Sequence, residues 1–251
     1  MANKSKYIYN TLMLLLVAVI VVPLMASCGK SSDGTVNGYN SQLTVANLSP
    51  DIGPVDLYIN NNIQNGLTPY RYPTLGAYFY MNTVGYPIQI RSDTGNKSIL
   101  STGILNPDKK TFKLMVTDST VNRNAKYTLF VTGVKADGKL NFLFLVDTSK
   151  LSGVGRGKVR FINASPRSGA FDVYANQTSL CANIALNAYS PFVEMPVGDY
   201  DFKIYATGDF STVLGEVKQT VGDGKLYTIY TYGIVGRTDS AAFNTGIIIN
   251  K

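Results

Sequence analysis

The chain has no histidine and no tryptophan, and only two cysteines and two glutamates among its 251 residues. Without histidine there is no ordinary general base near neutral pH, no imidazole metal ligand, and no Ser-His-Asp or Cys-His arrangement. The cysteines are Cys28 and Cys181, and Cys181 has no basic cluster beside it to activate a thiolate. It reads as a small buried apolar residue. The glutamates, Glu194 and Glu216, both fall in the second half, so a glycosidase-like glutamate pair would have to be built there, and no motif surrounds either. Basic residues outnumber acidic ones 23 to 16, but they are spread without the Lys/Arg cluster that tracks phosphates. That argues against a nucleic-acid partner. "ADGK" and "GDGK" lack the oxygen-ligand spacing of a calcium loop and read as hairpin turns. No cofactor or metal is implied.

What is present starts at the N-terminus. Lys4 and Lys6 precede "LMLLLVAVIVV", Leu12 to Val22, an apolar run too short for a span of about twenty residues. It has the length of a signal-peptide h-region. "LMASC" follows, with small Ala26 and Ser27 ahead of Cys28. This resembles a bacterial lipobox, in which the thiol takes a diacylglyceryl group before the bond ahead of it is cut. The resemblance implies a lipoprotein signal peptide over 1–27, lipidation at Cys28, and the membrane as a partner through that lipid. The expected location is extracytoplasmic, at the outer membrane or cell surface. Two acyl chains, at ~0.8 kcal/mol per buried CH₂, make such an anchor effectively permanent. Residues 28–41, rich in Gly, Ser and Asn, read as a flexible tether.

Beyond the tether, period-two alternation dominates. "VDLYIN" sets Val55, Leu57 and Ile59 against Asp56, Tyr58 and Asn60, and "FDVYAN" repeats the pattern with Phe171, Val173 and Ala175 against Asp172, Tyr174 and Asn176. Other strand candidates are "QLTVAN", "YFYMN", "PIQIRS", "FKLMVT", "YTLFVTG", "LNFLFLV", "KVRFIN", "FVEMPV", "DYDFKIYA", "LYTIYTYG" and "GIIIN". "NLSPDIGPVDLYIN" and "NASPRSGAFDVYAN" match at a constant offset of 116, and Gly133 and Gly233 match at an offset of 100. Drifting offsets are what a duplicated domain shows when strands persist and loops change length. The reading is all-β: two tandem immunoglobulin-like β-sandwich domains joined head to tail, over 42–148 and 159–251, with a linker at 149–158. Each half is expected to form its own core.

"RFINASPRSGAFDVY" and "MPVGDYDFKIYATG" resemble a bacterial and archaeal family known as domain of unknown function 4397, and "VANLSPDIGPVDLY" carries the same motif in the first half. The resemblance implies secreted or lipid-anchored surface proteins with tandem sandwiches, and no catalytic residues to carry over.

The repeated residues are Asn47, Ser49, Pro50, Asp56 and Tyr58, with Asn163, Ser165, Pro166, Asp172 and Tyr174. Retention in both copies fits a fold constraint, with the Asp carboxylate expected to accept backbone N–H groups of the Asn-x-Ser-Pro turn. Asp223, four residues before Tyr227, fits a tyrosine corner. A ligand site is placed instead at Tyr70, Arg71 and Tyr72, where Pro69 and Pro73 stiffen an aromatic loop that the second half lacks. Tyrosine faces there could stack on a glycan or on a surface protein. The functional expectation is a non-catalytic binding or adhesion protein. The alternatives are a fimbrial subunit assembled by strand donation and, third, a glycosidase-like hydrolase.

Overall fold

The structure is a computed structural model that describes residues 42–59, 61–80, 88–92, 98–102, 125–150 and 153–250. Cys28, the signal peptide, the tether, Asn60 and the "FKLMVT" strand candidate lie outside the described residues. The described residues belong to one compact unit and contain no helix.

The first half supplies β1 (Gln42–Asn47), β2 (Val55–Ile59), β3 (Asn62–Ile63), β4 (Phe79–Tyr80), β5 (Ile88–Ser92), β6 (Ser98–Thr102), β7 (Lys126–Thr132) and β8 (Asn141–Val146). The second supplies β9 (Arg156–Asn163), β10 (Phe171–Ala175), β11 (Thr178–Ile184), β12 (Val193–Pro196), β13 (Gly198–Ala206), β14 (Gly215–Val221), β15 (Leu226–Tyr232) and β16 (Asn244–Ile249). Sheet orders are β4-β1-β7-β8 and β3-β2-β5-β6 in the first half, β12-β9-β15-β16 and β11-β10-β13-β14 in the second. Every strand thus has its counterpart eight places later with the same neighbours. Even the unusual parallel pair recurs, β1 with β7 and β9 with β15. The duplication read from sequence is a duplication of topology. Both halves are two-layer sandwiches; the parallel pairing of first and seventh strands gives a strand order different from the ABED/CFG of immunoglobulin constant domains.

Alternation builds each core. Leu43 and Val45 of β1, Leu57 and Ile59 of β2, and Tyr127, Leu129 and Val131 of β7 meet between the first two sheets. Val159, Phe161, Phe171, Val173, Phe202, Ile204, Tyr227 and Ile229 do the same in the second half. Gly133 and Gly233 open the β7–β8 and β15–β16 connections with φ of +88° and +71°, and a Cβ there would stand 2.0 and 2.1 Å from the carbonyl oxygens of Lys139 and Ala242. Only glycine fits such a turn.

The sandwiches do not simply follow one another. The residues that alternate out of the first core, Ala46, Leu48, Phe130 and Leu145, form a third buried cluster with Ile162, Ala164, Tyr230 and Ile248 of the second half. The β1/β7 sheet therefore packs its back on the β9/β15 sheet, in a stack of four layers. Joined in tandem along the chain, the two sandwiches pack back to back. The linker bound needs correction: β9 opens at Arg156, three residues before the expected boundary at 159.

Candidate functional site

The Asn-x-Ser-Pro turns are held by their asparagines. Asn163 donates from Nδ2 to the carbonyls of Gly169 (3.0 Å) and Ile184 (3.0 Å), while its Oδ1 accepts the Ser165 N–H at 3.2 Å. Asn47 repeats this with Gly53 (3.0 Å), Tyr70 (3.1 Å) and the Ser49 N–H (3.3 Å). Both asparagines and both serines are fully buried, so these bonds satisfy groups that water cannot reach. The repeated aspartates do something other than expected. Asp172 accepts N–H groups from Asn183 (2.7 Å) and Gly208 (3.3 Å) and the Thr207 hydroxyl (2.9 Å), none of them in the Asn-x-Ser-Pro turn. Asp56 reaches its loop through Asn65, which donates to Asp56 at 2.8 Å and accepts the Leu57 N–H at 2.8 Å. Tyr227 forms its corner by accepting the Gly222 N–H at 3.0 Å, whereas Asp223 instead accepts the N–H groups of Gly155 and Arg156.

The loop at Tyr70, Arg71 and Tyr72 is not a presented aromatic surface. Tyr70 is 8% exposed and belongs to the first core, with its N–H and carbonyl both bonded to Val55. Burial, then the Asp56 charge, pushes its hydroxyl up to about 12. Tyr72 is half-buried against Tyr232 of the other sandwich, ring centroids 6.1 Å apart, and burial also takes it to about 12. Only Arg71 faces solvent. Of the three, only Tyr72 reaches the seam between sandwiches.

An exposed aromatic group exists elsewhere. Tyr174 of β10 and Tyr205 of β13 point away from the second core, and Phe210 folds over them from the β13–β14 connection. Ring centroids are 5.8 Å apart for Tyr174–Tyr205, 5.6 Å for Tyr174–Phe210 and 6.2 Å for Tyr205–Phe210. Phe210 is 58% exposed. Two carboxylates set this connection. Asp172 grips its base at Thr207 and Gly208, and Asp209 accepts the Ser211 N–H (2.8 Å) and hydroxyl (2.6 Å) at its tip. Around the rings, Lys203 lies 3.5 Å from Asp201 and Lys218 lies 3.3 Å from Glu216.

The family model for a domain of unknown function (DUF4397) matches residues 41–174 and again 157–245. The chain belongs to this family. No curated protein matches it. Among solved structures, the Bacillus anthracis TIE protein is similar at TM-score 0.22 and 11% identity over 81% of this chain; the chain spans 33% of that protein's length.

The two DUF4397 copies differ where the rings lie. In the first copy the register equivalent of Tyr174 is Tyr58, and Arg91, which pairs with Asp56 as Tyr205 pairs with Asp172, lays its guanidinium 4.0 Å from the Tyr58 ring centroid. Sequence reasoning found Tyr174 because it repeats, and missed Tyr205 and Phe210 because they do not. The period-two pattern of "DYDFKIYA" did carry Tyr205 to the outer face; nothing local marked Phe210. The glutamates do not meet: Glu194 stands on β12, paired with Arg156 at 2.8 Å, and Glu216 on β14 of the opposite sheet. Burial pushes the Cys181 thiol up to about 12, so it stays protonated.

Proposed function

We propose that the chain is an exported, non-catalytic binding module, held by a lipidated Cys28 at the outer membrane or cell surface. The observation that carries the binding part is the cluster of half-buried Tyr174 and Tyr205 with exposed Phe210 on the outer face of the second sandwich, Phe210 being carried by a connection that two carboxylates hold. Rings kept in water at a defined geometry lose little entropy on meeting a ligand. The anchor rests on the h-region and on Ala26-Ser27-Cys28. The non-catalytic reading is supported by the missing histidine and by glutamates held on separate sheets of the second sandwich. Strand donation, as in a fimbrial subunit, needs a core open to a foreign strand; in the second sandwich the described residues pack the core with the chain's own side chains.

The test is fractionation of Cys28→Ala in a lipoprotein-exporting bacterium. Wild type is expected in the outer-membrane fraction, and the variant in the soluble fraction or as an uncleaved precursor. A variant that is processed and sediments like wild type overturns the anchored reading.

A further inference from the structure

Four facts about the outer face of β10 and β13 belong together. The three rings touch one another, yet Phe210 keeps 58% of its surface in water, so core packing does not account for it. The connection that carries Phe210 is fastened at base and tip by Asp172 and Asp209. The surrounding charges are of both signs and paired, Lys203 with Asp201 and Lys218 with Glu216, which leaves little net field for a charged ligand. And the first sandwich, built on the same topology, caps its Tyr58 with Arg91. The fold therefore does not demand the ring cluster.

We infer that Tyr174, Tyr205 and Phe210 form a carbohydrate-binding site for a neutral glycan, one sugar ring of which lays its apolar C–H face on the exposed phenyl and phenol surfaces. The inference rests on the binding-module reading above and names its ligand class. A pyranose suits the place for three reasons. It offers a flat apolar face to an aromatic one, and its equatorial hydroxyls need both donors and acceptors at the rim. Lys203, Lys218 and the tyrosine hydroxyls donate there; Asp201 and Glu216 accept. Its footprint also matches. Three rings hemmed in by ion pairs fall far short of the roughly 800 Å² per partner that a stable protein interface buries. The half-buried Tyr174 and Tyr205 give a fixed floor, and Phe210 is the wall.

The experiment is affinity electrophoresis of the full chain in native gels cast with dextran, yeast mannan, arabinogalactan, xylan or a mixed-linkage β-glucan. At least one of these is expected to retard the wild type. Phe210→Ala and Tyr174→Ala are each expected to weaken that retardation about tenfold or more, with Phe210→Ala melting as wild type does. Tyr58→Ala, the first-sandwich counterpart, should be retarded normally. Retardation that survives both second-sandwich variants overturns the site. Failure of all five polysaccharides to retard the wild type overturns the ligand class, while the anchored-module reading stands or falls separately on Cys28→Ala.

Discussion

Asp172 is a repeated carboxylate at 5% exposure, and its ionisation is tied to folding. Burial by itself raises its pKa; the Asn183 N–H, the Thr207 hydroxyl and the Gly208 N–H outweigh that and hold it below the ordinary 3.8. A depressed folded pKa gives stability that is present above the unfolded value and lost as pH falls through the folded one. Asp172→Asn should therefore cost about 1–3 kcal/mol near neutral pH, and the gap between wild type and variant should shrink as pH drops below 3.8. Urea midpoints across that range check this, and a gap that widens in acid contradicts it. The sequence showed that this aspartate is repeated, but not which donors it serves. Its N–H donors sit 11 and 36 residues away, and only strand pairing brings them close. The Asn163–Ser165 bond spans two residues and is a local turn, which is why the Asn-x-Ser-Pro segment was legible as one.

At the scale of elements, strands with apolar residues at every second position were legible: β1, β7, β9, β10 and β15 each commit one face to a core. β11 and β14 were not. Both are edge strands, and β14, GEVKQTV, buries only Val221 fully, while a bulge and positive φ at Asn183 break the register of β11. An edge strand needs little apolar pattern because one neighbour and one half-covered face suffice. The turns that start the β7–β8 and β15–β16 connections carry a sharper signal. Gly233→Ala should cost about 2 kcal/mol or more, since the left-handed φ penalises any Cβ and this one would also strike the Ala242 carbonyl. Gly236→Ala is the control: φ is +85° but nothing lies within 4 Å of the added Cβ. Thermal unfolding of both should show the larger loss at Gly233; equal losses would mean that strain alone, without the clash, sets the requirement.

Over the whole molecule, the contact between sandwiches is self-complementary in its apolar part and one-sided in its charges. Ala46 and Ile162, Leu48 and Ala164, Phe130 and Tyr230, and Leu145 and Ile248 are register equivalents, as in an isologous dimer. The polar part breaks that symmetry. Asp147 bonds Lys126 as Asn250 bonds Leu226, so the two are equivalent, yet only one is charged. Asp147 accepts from Arg160, from Thr128 at 2.6 Å and from Tyr78 at 2.8 Å, and Asn250 donates to Tyr78 at 3.2 Å. Burial drives Asp147 up and Arg160 down, and their mutual attraction opposes both. Pairing two second sandwiches through this face would set Arg160 against Asn250 and leave the guanidinium without a carboxylate. The ion pair thus selects the first sandwich as partner for the second. Sequence alone gave no sign of it, because Asp147 and Arg160 stand 13 residues apart on opposite sides of the expected linker. Removing one member strands the other in a dry seam, so Asp147→Leu or Arg160→Met alone should cost about 3–5 kcal/mol, whereas the double variant should regain most of that loss. A double-mutant cycle by chemical denaturation measures it, and a double variant as unstable as the sum of the singles would mean that the pair does not hold the sandwiches together. By the same geometry residues 153–251 expressed alone should fold on their own core yet expose Ile162, Tyr230 and Ile248. Such a fragment should bind the isolated first half in preference to itself in analytical ultracentrifugation, and Arg160→Met should erase that preference.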